Sequence, residues 1–274
     1  MLEVYRSGYY AWVKKPVSKR KQEETRLRIE IQAAHKRTRD TYGAKRLQED
    51  LAKHGVEVGV HRIKRIRKEL GLRCKQKKKF KATTDSKHSL AVADNLLAQN
   101  FKVAFPNEVW VSDLSYIRTD EGWLYLAGHK DLFTGEIVGY AISKRMTKNL
   151  VSQSLFRAVS TKRPPEGLIH HSDRGSQYCS NEYRELLEQF GMETSMSGRG
   201  NCYDNAPMES FWGILKNELV YHRHYRTRAE AKREITEYIE IFYNRQRIQE
   251  RLGYLSPAAF EQKYYEKLYS DMSG

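Results

Sequence analysis

Three acidic residues stand in segments whose patterns read as strand, strand end and helix: Asp113 in VWVSDLSYI, Asp173 in LIHHSDRGSQY and Glu209 in NCYDNAPMESFWGILK. Asp113 precedes Asp173 by 60 positions, and 35 residues separate Asp173 from Glu209. Carboxylates brought together resist joint ionisation unless a cation sits among them. Oxygen ligands without Cys or His favour magnesium or manganese. Two such ions about 4 Å apart can activate an attacking hydroxyl and hold the departing oxygen of a phosphodiester. The chemistry that fits is the cutting and joining of DNA strands.

These residues need elements to carry them. Val109, Val111 and Asp113 alternate to one strand face, and Asp173 follows the apolar pair Leu168-Ile169 at a strand end, where open α/β sheets place their chemistry. Glu209 lies early in a helix, with Asn205, Trp212 and Lys216 at −4, +3 and +7 on roughly the same face. Lys216 then projects towards a phosphate near the carboxylates. WLYLAGHKDL and EIVGYAIS follow the first strand at hairpin intervals, with FTGE as a turn. KNLVSQSLFRAVSTK, NEYRELLEQFG and TRAEAKREITEYIEIFYNR read as helices, and METSMS as a short strand. Antiparallel strands followed by alternating helix and strand predict an α/β mixed sheet with helices on both sides.

The front of the chain differs. Of 274 residues, the first hundred hold 26 Lys and Arg against 11 Asp and Glu, the remainder 23 of each, so the whole net charge of +15 lies in front. That asymmetry predicts a polyanion partner. Residues 19–39 read as an amphipathic helix with Leu27, Ile31 and Ala34 on one face. TYGAKRLQEDLAKHG and VHRIKRIRKELG give two further short helices, the second basic through Arg62, Lys64, Arg65 and Lys68. Residues 42–71 thus form an all-α helix-turn-helix whose second helix suits a major groove, against the plainer reading of a helical hairpin with a solvated face. The run with Lys77, Lys78 and Lys79 reads as a flexible segment that tracks phosphates. The expected organisation is 1–82 for DNA binding, 83–104 as linker with a short helix in ADNLLAQNF, 105–265 for catalysis and 266–274 as tail.

Other features have blander readings. His170 and His171 face opposite ways on a strand, so one at most points inward; Asp131 reads as a turn or cap, and Asp204 as the cap of the helix beginning near Asn205. Gly198-Arg199-Gly200 lacks the rest of a phosphate-loop motif and reads as an active-site loop, with Arg199 a phosphate contact. Tyr178 has no arginine cluster to make it a recombinase nucleophile. Three scattered cysteines exclude a disulfide framework, and no apolar run approaches the ~18 residues of a membrane span, so a reducing cytoplasm is expected.

The strings W-V-S-D-L-S-Y-I, H-S-D-R-G-S-Q-Y and D-N-A-P-M-E-S-F-W-G-I-L-K resemble the catalytic core of bacterial insertion-sequence DDE transposases of the OrfB type, relatives of retroviral integrases. RSGYYAW, YGAKRL and YNRQR…LGYLSPAAFE extend the resemblance over nearly the whole chain. It implies a ribonuclease-H-like fold, with Asp113, Asp173 and Glu209 as the metal-binding catalytic triad for two Mg²⁺ or Mn²⁺ ions. It makes Lys216 the basic residue seven positions after the glutamate. It further implies double-stranded DNA as partner, at least a dimer on that DNA, a circular DNA intermediate, an upstream-frame partner or fused segment, and a bacterial, nucleoid-associated location. Gln249 departs from the histidine common there. A helix-turn-helix regulator with a non-catalytic C-terminal half leaves the carboxylates unexplained; a glycosidase-like hydrolase leaves the basic front unexplained.

Overall fold

The computed structural model describes residues 5–14, 16–75, 92–199 and 201–273, which fall into two compact units, 1–75 and 76–274. Lys77, Lys78 and Lys79 lie outside the described residues.

In the first unit, α1 (Arg6–Val13) buries no residue. Ser18 caps α2 (Lys19–Arg37) by accepting from the Lys21 amide. The apolar stripe of α2, Leu27, Ile31 and Ala34, packs against Leu47 and Leu51 of α3 (Ala44–Lys53) and Ile63 and Ile66 of α4 (Val60–Glu69), all buried. Gly55 follows α3 with φ +76°, the left-handed conformation that ends a helix at low cost. Beyond α4 the chain is tied back by Cys74 Sγ to the Tyr42 carbonyl (3.0 Å) and the Lys75 amide to the Asp40 carbonyl (2.9 Å).

The second unit is a five-stranded sheet ordered β3-β2-β1-β4-β5. β1 (Val109–Thr119), β2 (Gly122–Asp131) and β3 (Ile137–Ser143) form an antiparallel meander. β4 (Ile169–Ser172) pairs parallel to β1, and β5 (Glu193–Met196) parallel to β4. The intervening α5 (Lys148–Lys162) and α6 (Asn181–Gln189) cover one face, burying Leu150, Val151, Leu155 and Leu187 with Trp110 and Ala127 of the sheet. The mixed α/β sheet with flanking helices is the ribonuclease-H-like architecture expected from the sequence.

Helix α7 (Ala206–Glu218) covers the other face, entered through a short 3₁₀ turn, Cys202–Asn205. Two glycines permit the layers to close. A Cβ at Gly128 would meet Met208 Cε at 2.8 Å and Trp212 at 3.2 Å, and one at Gly139 would meet the Ala158 amide nitrogen and Ser154 carbonyl of α5, each at 2.5 Å. Behind α7 lie α8 (Arg228–Glu237), a π-helical stretch Tyr238–Gln246 and α9 (Pro257–Ser273). Phe211 meets Tyr243 at 4.8 Å between ring centroids. Arg247 grips Glu218 with Nε and Nη2 at 2.8–3.1 Å, and Tyr238 donates to the same carboxylate at 2.6 Å.

Three local expectations are corrected. ADNLLAQNF is not helical: Ala98 and Gln99 have φ 43° and 62°, the Asn95 side chain accepts from the Ala98 amide, and the segment straps β5 through Asp94 and Leu96. The long helix ending in IFYNR changes to π-helical winding at Tyr238. Residues 266–273 continue α9 rather than trailing as a tail.

Gly139→Ala is expected to destabilise the protein by about 1–3 kcal/mol, because backbone rather than a side-chain tip blocks the added carbon. Gly213→Ala on α7, where nothing lies within 4 Å, should be neutral or stabilising by up to ~1 kcal/mol. Denaturant unfolding of both variants measures this, and equal stabilities would contradict the close α5–β3 packing.

Candidate active site

Register brings the first two acids together. β1 and β4 run parallel with Ser112 beside Ser172, the last residue of β4. One step further along both chains are Asp113 and Asp173. Asp113 also lies opposite Gly128, the residue over which α7 packs, so its side chain belongs to the face that α7 covers. Glu209 sits in the first turn of that helix and is exposed. Two contacts fix the start of α7 over the sheet: Asn205 Nδ2 donates to the Ser112 carbonyl at 3.0 Å, and Lys130 Nζ to the Pro207 carbonyl at 3.0 Å.

The charges feel one another. Burial, then Asp173, then Glu209 push the Asp113 carboxyl well above the usual carboxylate range, opposed by the Leu114 amide and Lys216. Burial and Asp173 likewise raise Glu209. Lys216 is buried, with Nζ 5.3 Å from the centroid of the Tyr116 ring; burial lowers its pKa and Asp113 raises it. Asp173 Oδ1 accepts from the Gly175 amide at 2.9 Å, turning part of its carboxylate to its own loop. Among the described residues no three His, Cys, Asp or Glu side chains are gathered as a ready cation cage. The donor chemistry, three carboxyls with two of them pushed up by burial and then by like charge, suits a hard divalent ion.

The neighbours resolve into structural roles. His170 and His171 are both buried, because the sheet is covered on both faces at β4; that corrects the expectation that one at most points inward. His170 Nε2 lies 3.1 Å from both Ser112 Oγ and Tyr183 Oη, and Tyr183 Oη lies 3.1 Å from His129 Nε2. His171 sits between Ser195 Oγ (2.8 Å) and Ser197 Oγ (3.2 Å). Burial lowers His129 to about 3 and His171 to about 4, so these imidazoles are neutral parts of the core. Asp131 is a turn cap, accepting from the Thr134 amide and hydroxyl and from the Asn107 amide at 2.6–2.8 Å.

Asp204 does not cap α7. It accepts from the Gly198 amide and from Asn95, Gln99 and Asn201 side chains at 2.7–2.9 Å, stapling the loop before α7 to the strap. Arg199 in that loop is exposed. Tyr178 is buried, its hydroxyl raised well above the ordinary range by burial, then by Tyr183, Asp113 and Asp173, which suits no nucleophile. Gln249 packs in a small bridge with Leu255. Sequence reasoning missed Lys130, whose only signal was a lysine at an apolar strand's end; burial, then Arg251 and Arg247, lower it to about 7.

In the helical unit, two of the four α4 residues expected to contact DNA are already engaged. Arg62 pairs with Glu23 (2.9 Å) and Glu24 (3.0 Å), and Arg65 with Glu24 (2.6 Å) and Glu69 (2.9 Å). Lys64 and Lys68 are exposed.

Comparison with known proteins agrees with this division. Integrase core domain models match residues 104–202 and 209–265, and an HTH-like domain model matches 21–80. The chain is 61% identical over 263 residues to the insertion element IS600 uncharacterized 31 kDa protein of Shigella sonnei, covering 96% of this chain and 97% of that one. It is 39% identical over 265 residues to transposase InsF for insertion sequence IS3A of Escherichia coli strain K12, covering 96% and 92%. The HTLV-2 integrase catalytic core domain, solved in complex with magnesium, superposes with TM-score 0.47 at 16% identity over 58% of this chain and 99% of that one. The fold and these relatives define a DNA transposase with an integrase-type core. The chain belongs to the IS3-type insertion-sequence transposases.

A carboxyl raised in the fold binds its proton more tightly there than in the unfolded chain. Asp113 and Glu209 therefore favour folding at low pH, and that contribution is lost as pH rises above the unfolded value of about 4. In chelator at pH 7, Asp113→Asn should raise the melting temperature by several degrees, about 1 kcal/mol or more at this size. Thermal melts at pH 4 and pH 7 measure the difference, and a variant less stable than the parent at pH 7 would contradict the crowding of charge.

Proposed function

We propose that Asp113, Asp173 and Glu209 form the catalytic centre at which this transposase cuts and joins the DNA strands of its insertion sequence, holding two magnesium or manganese ions. The observation that carries the reading is the Asp113 carboxyl, pushed up by burial and by both other acids in a fold whose relatives include transposases. Such ions, when bound, lower the pKa of an attacking hydroxyl and neutralise charge on the leaving oxygen of an in-line displacement.

The protein's own part is placement. Asp113 supplies a carboxylate from a rigid central strand, and Asp173 supplies the next from the adjoining strand end. Glu209 closes the third side from α7, whose start is held to β1 by Asn205 on the Ser112 carbonyl and to β2 by Lys130 on the Pro207 carbonyl. Lys216, two turns further along α7, binds a DNA phosphate; burial keeps its side chain from swinging away, and Asp113 favours its charged form. Arg199, exposed on the loop before α7, is a second phosphate contact. Water as nucleophile frees a 3′ end, and the freed 3′-hydroxyl then attacks another phosphodiester.

For the helical unit, Lys64 and Lys68 contact phosphates, while Arg62 and Arg65 first serve to hold α4 to α2. Lys77, Lys78 and Lys79 continue the basic run in the sequence. Joining two element ends calls for at least two protomers, with an upstream-frame segment as a further partner.

Two measurements test this. With DNA carrying the element's ends and Mg²⁺ or Mn²⁺, Asp113→Asn, Asp173→Asn and Glu209→Gln should each lower strand joining at least ~100-fold; joining at the parental rate by all three sinks the assignment. Lys64→Ala with Lys68→Ala should flatten the slope of log affinity against log salt by about 0.9 for each phosphate no longer neutralised. A parental slope would mean that those lysines touch no phosphate.

A further inference from the structure

A cavity of about 420 Å³ is lined by Tyr116, Arg118 and Trp123 of the β1–β2 hairpin and by Lys216, Tyr221 and Arg223 in and after α7. We propose that this cavity is a subsite for one unpaired nucleotide of the DNA strand being processed, its base stacked on Trp123 beside Tyr116 and its phosphate held by Lys216, Arg118 and Arg223. The proposal rests on the catalytic reading above and adds to it how the DNA must be opened at the site.

The chemistry of the lining selects the ligand. Trp123 and Tyr116 are 45% and 40% exposed, although large aromatic rings on β-strands normally bury their faces. They meet edge to face at 5.1 Å with an interplanar angle of 85°, which leaves at least one ring face uncovered by the other. A base inside a duplex shows only its edges, because its faces are stacked; open aromatic faces therefore fit a base out of the stack. The volume lies within the range of small-molecule sites, roughly 300–1,000 Å³.

The basic residues point the same way. Arg118 is exposed, and Arg223, paired through Nε with Glu234 at 3.2 Å, keeps further guanidinium donors. The acidic wall residue Asp120 already has a hydrogen-bond partner in His224, 3.0 Å away. Position completes the argument. β4 pairs with β1 only as far as Ser112, so Asp113 and Tyr116 lie on the same stretch of β1 beyond that pairing, about 10 Å apart along the strand and, being three residues apart, on opposite faces of it. Lys216 joins the two places, since it feels the charge of Asp113 and lies over the Tyr116 ring. A nucleotide next to the attacked phosphodiester would reach the cavity.

The test uses the full chain and tryptophan emission, titrated with a short single-stranded oligothymidylate and with a blunt duplex. Of the four tryptophans, Trp110 and Trp212 are buried and Trp12 is exposed, so the titration uses Trp12→Phe as the parent background; there the single strand should quench chiefly Trp123, and adding Trp123→Phe should abolish most of the quench while keeping affinity within about twofold. Trp123→Ala and Tyr116→Ala should each weaken single-strand binding about tenfold and leave duplex binding unchanged. An undiminished quench in Trp123→Phe overturns the subsite, which also covers the case in which the Ala variants fail to fold. So does an equal loss, or no loss, on both DNAs in the Ala variants. None of these readouts needs catalysis, so they stand or fall apart from strand joining by the parent protein.

Discussion

Like charge held close by a rigid frame is the constraint on which the active unit depends. The parallel pairing of β1 with β4 stops at Ser112 and Ser172, and the next residue of each chain is an aspartate. Neither strand can slide to relieve the repulsion. A one-residue slip would turn Val111 and His171 out of their buried positions and carry Trp110 with them. The helix bearing the third acid is fixed as firmly, by Asn205 on the Ser112 carbonyl, by Met208 and Trp212 over Gly128, and by the Arg247–Glu218 pair at its far end. The fold therefore holds the Asp113 carboxyl well above its ordinary range, by burial first and then by the other two acids, and under the reading proposed above a divalent cation would relieve that.

The buried imidazoles beside the acids' strands are uncharged. His129, His170 and His171 are buried close to the acids' strands, and burial holds each below its ordinary range. Neutral imidazoles link strands to helices through Ser112, Tyr183, Ser195 and Ser197 without adding a cation that would compete for the carboxylates. Lys216 is the cationic side chain that Asp113 feels, and its burial lowers rather than raises its hold on a proton.

Much of this was legible in the residues. The alternation of Val109, Val111 and Asp113, the end position of Asp173 and the helical phase of Glu209 and Lys216 are short-range patterns, and period alone gives the face on which each residue lies. The stripes of α2, α3 and α4 were readable for the same reason. What escaped depended on contacts distant in sequence. That both faces of β4 are covered cannot be seen from LIHHSD, so His171 could not be recognised as buried. Asp204 looks like a helix cap by its place before Ala206, but its partners include Asn95 and Gln99, about a hundred residues earlier. Arg62 and Arg65 carry the charge of DNA-contacting residues, and only the packing of α2 against α4 shows that Glu23 and Glu24 already hold them. The π-helical winding after Tyr238 has no local signature at all.

The account's central claim is that the strained carboxylates share divalent cations, and manganese binding followed by electron paramagnetic resonance addresses it without any DNA or turnover. The parent protein should take up two manganese ions saturably, and Asp113→Asn should remove that uptake while the fold persists. Manganese that binds Asp113→Asn as it binds the parent, or that fails to bind the folded parent at all, would contradict it.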